Sequence, residues 1–202
     1  MLVDKSLREF FDEVASRNPT PGGGSVSAAA GSLGAALGVM TARFTKDPSA
    51  EEASVRLQKE LGDFVGLIDE DAEAYGKVNR ALSLPKETAE EKAARKEELQ
   101  SALKEASEVP LRGMEVAVRS LQALEDVARV CNPRLVSDLG ASALLLEAGL
   151  FGCSLNVRVN AQSIKDPAFV EKLAQEAGKC LQEGGAARSR IMQEVERSYG
   201  RQ

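Results

Sequence analysis

Histidine and tryptophan are absent from the 202-residue sequence, and tyrosine and cysteine are scarce. Without an imidazole, the chain can build no Ser-His-Asp or Cys-His catalytic group, no histidine metal site and no imidazole pH switch. Acid–base chemistry must therefore come from carboxylates, lysine, tyrosine, cysteine or the substrate itself. The three cysteines, Cys131, Cys153 and Cys180, are too few and too widely spaced for a disulfide framework. We expect them to be small reduced core residues.

An excess of positive charge is also missing. The sequence has 26 Lys and Arg against 31 Asp and Glu, a net charge of −5, which provides no general attraction for a nucleic acid. Charged residues interrupt the first ten positions, so no signal peptide is predicted. The longest apolar stretch, residues 26–42, is mostly alanine and glycine and falls short of the roughly 20 strongly apolar residues of a membrane-spanning helix. We expect a cytoplasmic protein with no nucleic-acid or membrane partner.

Helical periodicity runs through nearly the whole sequence. Capping boxes are predicted at Ser6–Glu9, Ser49–Glu52 and Thr88–Glu91, and Pro110 is expected to kink or restart the helix that contains it. No convincing strand, internal repeat or dividing linker is found. The sequence therefore predicts an all-α fold, a bundle of long antiparallel helices that forms one domain over residues 1–202.

Small residues recur at helical spacing in two of the predicted helices. In the first, Gly24, Ala28, Ser32 and Ala36 lie four residues apart, and residues 140–152 form a second such stretch. Because a glycine inside a helix costs up to about 1 kcal/mol relative to alanine, a compensating close approach is expected. Tight packing between helices, in the core or across a dimer interface, is the simplest explanation, and a flat ligand is the alternative. We expect a homodimer.

The sequence Gly22-Gly23-Gly24 precedes the N-terminus of the first small-residue helix. Free backbone N–H groups and the helix dipole favour an anion there. The run matches neither a Walker loop nor a dinucleotide-binding fingerprint. A flexible turn is therefore the alternative.

A few polar residues interrupt otherwise apolar helix faces. Asp71 lies within an apolar stripe, where a carboxylate needs polar partners or a shifted pKa, unless it faces solvent. Tyr75 follows one turn later, within reach. Asp138, Asn156 and Asn160 share one face of a later helix, but Asp138 and Asn156 stand about 27 Å apart on a straight helix. They serve one site only if that helix bends or two subunits share the site, and capping or interhelical hydrogen bonding is the alternative.

Ordered sequence blocks resemble a known enzyme family. The blocks are residues 18–28 (NPTPGGGSVSA), 69–75 (DEDAEAY), 84–86 (LPK) with 90–92 (EEK), 109–111 (VPL), 137–138 (SD) and 156–160 (NVRVN). Together they resemble the cyclodeaminase domain of formiminotransferase-cyclodeaminase, and equally the bacterial methenyltetrahydrofolate cyclohydrolases of the same superfamily.

The resemblance implies an all-helical, dimeric folate enzyme of one-carbon metabolism without a metal. Its ligand is a tetrahydrofolate derivative, and no cofactor beyond this folate-linked substrate is expected. The cyclodeaminase converts formiminotetrahydrofolate to methenyltetrahydrofolate and ammonia, whereas the cyclohydrolase adds water to the methenyl bridge. The region from Asn132 to Asn160 favours the cyclodeaminase slightly. A non-catalytic helical scaffold is the alternative from another class.

Site roles follow from this resemblance and from folate chemistry. Asp71 is expected to be the catalytic acid and base, and Tyr75 to orient it. The predicted substrate-binding residues are Gly22, Gly23, Gly24 and Ser25 for a folate glutamate carboxylate, Asp138 for the amidine-like edge of the pterin, and Asn156 and Asn160 as ligand amides.

Overall fold

A computed structural model describes residues 1–200. Its helices are α1 (Leu7–Val14), α2 (Gly23–Arg43), α3 (Pro48–Ser83), α4 (Ala89–Val130), α5 (Val136–Ala161) and α6 (Pro167–Tyr199), with short 3-10 turns at Leu2–Asp4 and Pro133–Leu135. No strand occurs in residues 1–200. The all-α prediction is therefore confirmed.

The five long helices pack into a bundle around one apolar core. α2 contacts α3 and α5, while α4 contacts α3, α5 and α6. The largest fully buried apolar side chains come from α3, α4, α5 and α6 and include Leu57, Phe64, Met114, Leu121, Leu146, Leu150 and Ile191. Burying each such side chain stabilises the fold by about 1.5–3 kcal/mol. The long helices are therefore held mainly by tertiary packing.

Two of the three predicted capping boxes are present. Ser6 with Glu9 begins α1, and Thr88 with Glu91 begins α4. The predicted box at Ser49 is wrong, because α3 begins earlier, with Asp47 as N-cap and Pro48 in the first turn. Asp47 accepts a hydrogen bond from the Ser49 backbone at 2.9 Å. Proline fits that first turn because its fixed φ is helical and no N–H is needed there.

Pro110 lies inside α4 without ending it. The helix is continuous from Ala89 to Val130, so the prediction of a restart is wrong. Pro110 is buried in the core, where apolar packing offsets its helix-breaking effect. Because its ring nitrogen carries no hydrogen, it cannot donate the usual bond to the carbonyl of Ala106, four residues earlier.

The small residues of α2 and α5 let these two helices approach closely within the chain. A methyl group on Gly149 would lie 3.1 Å from the backbone of Gly31. The Ser142 hydroxyl donates to the Gly34 carbonyl at 2.7 Å across the same contact. The packing explanation of the small-residue stretches is therefore confirmed, and the contact is intramolecular.

The outward sides of α2 and α5, which face away from the core, are apolar and exposed. We define the α2–α5 apolar face by its large exposed side chains, Leu33, Phe44, Leu144, Phe151, Leu155 and Val159. By length and composition, Gly23–Arg43 and Pro133–Ala161 also meet the criteria for membrane spans, contrary to the prediction for residues 26–42. However, 56% and 44% of their apolar windows are buried within the fold, and a core helix meets the same criteria.

The cysteines behave as predicted. Cys153 and Cys180 are buried, Cys131 is partly buried, and all three are free thiols. Burial raises the pKa of Cys153 to about 12 and that of Cys131 to about 11. Neither thiol is an activated nucleophile at neutral pH.

Candidate active site

A small cavity lies where the turn before α2 meets α3, α4 and α5. It has a volume of about 220 Å³. Its lining residues come from these four segments and are Pro19, Thr20, Gly22, Gly23, Gly24, Asp71, Tyr75, Ala106, Asn156, Val159 and Asn160. The fold thus brings together most of the predicted site residues from parts of the chain that are far apart in sequence.

Asp71 caps the N-terminus of α2 from the neighbouring helix α3. The α2 N-cap residue, Gly22, has no side chain to bond the first free N–H groups. Instead, Asp71 Oδ2 accepts from the Ser25 backbone N–H at 2.7 Å and from the Ser25 hydroxyl at 3.0 Å. The positive end of the helix dipole favours a carboxylate at this position. Asp71 is therefore oriented through one oxygen, and Oδ1 accepts no hydrogen bond from a protein group in residues 1–200.

Glycine at position 24 makes this approach of Asp71 possible. A methyl group on Gly24 would overlap the carboxyl group of Asp71. A methyl group on the preceding Gly23 would lie 3.2 Å from Asn156 Nδ2, also a tight contact. Close side-chain approach thus explains Gly24 and, less strictly, Gly23, whereas a methyl group on Gly22 would lie at an ordinary 3.6 Å from the Pro19 carbonyl oxygen.

Burial and hydrogen bonding act on the pKa of Asp71 in opposite directions. Desolvation raises its pKa above the ordinary value of 3.8, and the hydrogen bonds from Ser25 lower it by less. The net pKa of the Asp71 carboxyl is raised. A carboxyl group in this state can donate and accept protons closer to neutral pH than an exposed aspartate can.

The raised pKa predicts a pH-dependent effect of Asp71→Asn on stability. Since folded Asp71 holds its proton more tightly than unfolded Asp71, its contribution is most favourable below the unfolded pKa and declines as pH rises through the folded pKa. Asparagine keeps the acceptor oxygen but does not ionise. We expect the Tm of Asp71→Asn relative to the parent to increase from pH 4 to pH 7 in thermal unfolding scans. A difference that is constant or shrinks over that range would contradict a raised pKa.

Two asparagines place acceptor oxygens at the cavity. Asn156 Nδ2 donates to the Gly152 carbonyl at 2.9 Å, and Asn160 Nδ2 donates to the Ala106 carbonyl at 2.7 Å. Within residues 1–200, neither side-chain oxygen accepts a hydrogen bond, and neither is fully enclosed. Together with Asp71, whose Oδ1 is also without a protein donor, the side chains that line the cavity therefore carry three free oxygen acceptors. Such acceptors suit a ligand that carries N–H donors or positive charge.

Tyr75, Ser25 and Asp138 do not have the contacts that the predicted roles require. Tyr75 is 39% exposed at the cavity rim, and Ser25 rather than Tyr75 bonds Asp71. Ser25 itself is fully buried, so the structure gives it a role toward Asp71 instead of toward a ligand carboxylate. Asp138 does not line the cavity, because it begins the continuous helix α5 about 27 Å from Asn156.

Sequence reasoning missed the Ser25–Asp71 pair and the carbonyl of Ala106 as parts of the site. The Ser25–Asp71 hydrogen bonds join residues 46 positions apart, and the Asn160–Ala106 hydrogen bond joins residues 54 positions apart. Helical periodicity relates residues only a few positions apart, so it predicts neither pair. One usable signal was present, since Pro110 identifies in advance which carbonyl of α4 loses its partner.

Comparison with known proteins adds three findings. A sequence model of the formiminotransferase-cyclodeaminase family matches residues 6–179. The chain is 39% identical to a methenyltetrahydrofolate cyclohydrolase from Methylorubrum extorquens, over 96% of this chain and 98% of that protein. It is 34% identical to formimidoyltransferase-cyclodeaminase from Rattus norvegicus, again over 96% of this chain, but it spans only 38% of that longer protein.

The fold also matches a solved structure. The crystal structure of formiminotetrahydrofolate cyclodeaminase from Thermotoga maritima superposes with a TM-score of 0.87 at 30% sequence identity. The match covers 97% of this chain and 98% of that one.

Proposed function

Because this chain belongs to the formiminotransferase-cyclodeaminase family, we propose that it is a folate one-carbon enzyme, a formiminotetrahydrofolate cyclodeaminase with Asp71 as its acid–base group. The observation that carries this proposal is the partly buried Asp71 carboxyl, which has a raised pKa and an oxygen free of protein donors at the cavity. Carboxylates are suited to this task in a chain that contains no histidine.

The proposed reaction requires two proton transfers. The N10 amine attacks the formimino carbon, a new C–N bond forms, and N10 loses its proton. The formimino group enters as its protonated amidinium, so the former imino nitrogen is by then an NH2 group. It gains one proton, its bond to the carbon breaks, ammonia leaves, and the positive charge stays on the methenyl bridge. Asp71 Oδ1 takes the first proton and returns one to the departing nitrogen, while Ser25 holds Oδ2 in place.

The acceptors around the cavity favour the charge that develops in this reaction. Methenyltetrahydrofolate is a cation, and ionised Asp71 attracts it. The side-chain oxygens of Asn156 and Asn160 add two fixed dipoles at the same cavity. Groups that are already oriented toward developing charge stabilise the transition state without reorganisation.

A methenyltetrahydrofolate cyclohydrolase is the second candidate function. It is favoured by the 39% identity to a protein of that name along 98% of its length. The same carboxylate would deprotonate a water molecule that attacks the methenyl carbon. One C–N bond of the bridge then breaks as the new hydroxyl loses its proton and the released nitrogen gains one, which leaves formyltetrahydrofolate and one proton. Both reactions thus use Asp71 at the same one-carbon unit.

A paired assay separates the two activities. The purified protein is given formiminotetrahydrofolate while ammonia release and the rise in methenyl absorbance are followed, and separately methenyltetrahydrofolate while that absorbance falls. We expect turnover of the formimino substrate with ammonia release. Turnover of the methenyl compound alone identifies the cyclohydrolase. No turnover of either, together with no heat of binding for tetrahydrofolate in calorimetry, would favour the scaffold alternative.

The glycine turn and Asp138 take modified roles in this proposal. Asp71 already occupies the N-terminus of α2, so a folate glutamate carboxylate there would face a like charge. We assign Gly24 to the approach of Asp71, and Gly22 and Gly23 to the cavity wall. Asp138 can contribute to this site only from a second copy of the chain, because it lies far from the cavity along α5.

A homodimer is proposed from the α2–α5 apolar face. Residues 23–42 contain no charged side chain, and residues 139–157 contain only Glu147, which pairs with Arg188 of α6 at 3.0 Å. Such an uncharged face is complementary to itself, as the interface of a two-fold symmetric dimer requires. The α5 part of the face ends at Val159, which also lines the cavity.

Leu155→Arg tests this dimer. Leu155 is 61% exposed on the α5 part of the α2–α5 apolar face, and an arginine there would place two unpaired charges in a symmetric interface. We expect analytical ultracentrifugation to show a dimer for the parent and a monomer for the variant. Val55→Arg is the control, because Val55 is 69% exposed on α3 outside the face. A monomeric parent would contradict the proposal.

We retain a cytoplasmic location and the absence of nucleic-acid or membrane partners as proposals. Co-sedimentation of the parent protein with phosphatidylcholine vesicles tests the membrane alternative for the same apolar face. We expect the protein to stay in the supernatant.

A further inference from the structure

Pro110 leaves one carbonyl of α4 without its helical partner. In a regular helix, the N–H of residue 110 would donate to the carbonyl of residue 106. Proline has no N–H, and its ring also pushes against that carbonyl. The Ala106 carbonyl is consequently free to accept a hydrogen bond from another element, and Ala106 lies in the cavity wall.

Asn160 supplies the missing donor from α5. Its Nδ2 lies 2.7 Å from the Ala106 carbonyl oxygen. An asparagine amide has donors on one side and an acceptor on the other. Once Nδ2 is held against Ala106, the opposite end of the amide, Oδ1, is fixed as an acceptor at the cavity that Asn160 lines.

We propose that Pro110 is a positioning residue: by freeing the Ala106 carbonyl, it fixes the amide of Asn160 so that Oδ1 accepts an N–H from the bound ligand. The ligand class follows from the cavity, since Asp71 Oδ1 and Asn156 Oδ1 are also acceptors. The group recognised is therefore an N–H-bearing, amidine-like edge. The identity of the ligand as a folate rests on the proposed function, whereas the pairing of Pro110 with Asn160 does not.

Pro110→Ala separates this role from a purely structural one. Alanine restores an N–H that competes for the Ala106 carbonyl, and it is the better helix former. Because the gain in helix propensity and the loss of buried packing oppose each other, we expect a Tm close to that of the parent. We nevertheless expect a KM for formiminotetrahydrofolate about tenfold higher, the typical loss for one hydrogen bond, with a smaller change in kcat. A proline needed only for packing would leave the ratio of KM to kcat unchanged.

A double-mutant cycle tests whether Pro110 acts through Asn160. Asn160→Ala leaves α4 unchanged and is expected to raise KM by a similar factor. In the double variant, Pro110→Ala should add no further increase, because its target is already absent. Pro48→Ala is the matched control, since Pro48 occupies the first turn of α3 and frees no carbonyl. We expect Pro48→Ala to leave KM unchanged.

A measurement without ligand distinguishes failure of this proposal from failure of the proposed function. In ¹⁵N NMR spectra, the Asn160 side-chain amide should show slow hydrogen exchange in the parent and faster exchange in Pro110→Ala. If the parent turns over neither folate but the exchange rates differ as expected, the proposed function fails while the Pro110–Asn160 pairing stands. Unchanged exchange in Pro110→Ala, an unchanged KM in Asn160→Ala, or additive effects in the double variant would each overturn the proposal.

Discussion

Asp71→Asn is expected to lower kcat for the folate substrate by about 10²–10⁴-fold, the usual contribution of a positioned acid–base group. Asparagine has nearly the same shape as aspartate and still offers an oxygen to the two donors of Ser25. It cannot take up or release a proton in the relevant pH range. The loss should therefore appear in steady-state kinetics as a fall in kcat with a much smaller change in KM.

The control for this variant is Glu73→Gln, the same chemical change on an exposed residue of the same helix. We expect it to retain the parental kcat. Circular dichroism and ultracentrifugation should show that both variants keep the helical content and oligomeric state of the parent. If Asp71→Asn turns over substrate at the parental rate, Asp71 is not the acid–base group and the mechanism proposed for this cavity is wrong.

Gly24→Ala is expected to lower both activity and stability. The added methyl group would overlap the Asp71 carboxyl, so Asp71 must move away from Ser25 and from its position at the cavity. Overpacking of this kind costs typically about 1–3 kcal/mol, and a displacement near 1 Å can reduce turnover by about 10²-fold. Chemical denaturation and steady-state kinetics measure the two effects on the same preparation.

Gly62→Ala provides the matched glycine control. Gly62 lies on α3, and a methyl group there would meet no atom within 4 Å. Alanine is favoured over glycine within a helix by about 0.5–1 kcal/mol, so this variant should be slightly more stable and fully active. A fully active Gly24→Ala would show that Asp71 does not need its hydrogen bonds to Ser25 for catalysis.

The contact between Asp71 and the N-terminus of α2 affects both the stability of the helix end and the pKa of the carboxyl group. The N-terminus of α2 and the Ser25 donors favour its ionised form, whereas burial favours its protonated form. Burial has the larger effect on the pKa. The carboxyl is thus held firmly at one oxygen and takes up its proton at a higher pH than an exposed aspartate does. Asp71→Asn keeps the hydrogen-bonded position of the side chain and removes its ability to take up a proton. Gly24→Ala instead disturbs the hydrogen-bonded position.

Local sequence patterns predicted the architecture of this protein. Apolar periodicity, the capping boxes at Ser6 and Thr88, and the absence of alternating strands correctly predicted an all-helical bundle. They also indicated Asp71, because a carboxylate within an apolar stripe requires partners. These inferences succeed because helix formation and capping depend on residues only three or four positions apart.

The tertiary structure decided which of the candidate residues form a site. It pairs Asp71 with Ser25 and Asn160 with Ala106, and it leaves Asp138 outside the cavity. Helical periodicity specifies which face a side chain occupies, but not the register of one helix against another. Since that register arises from packing of the whole core, only the fold shows that a glycine at the start of α2 makes room for a carboxylate from α3.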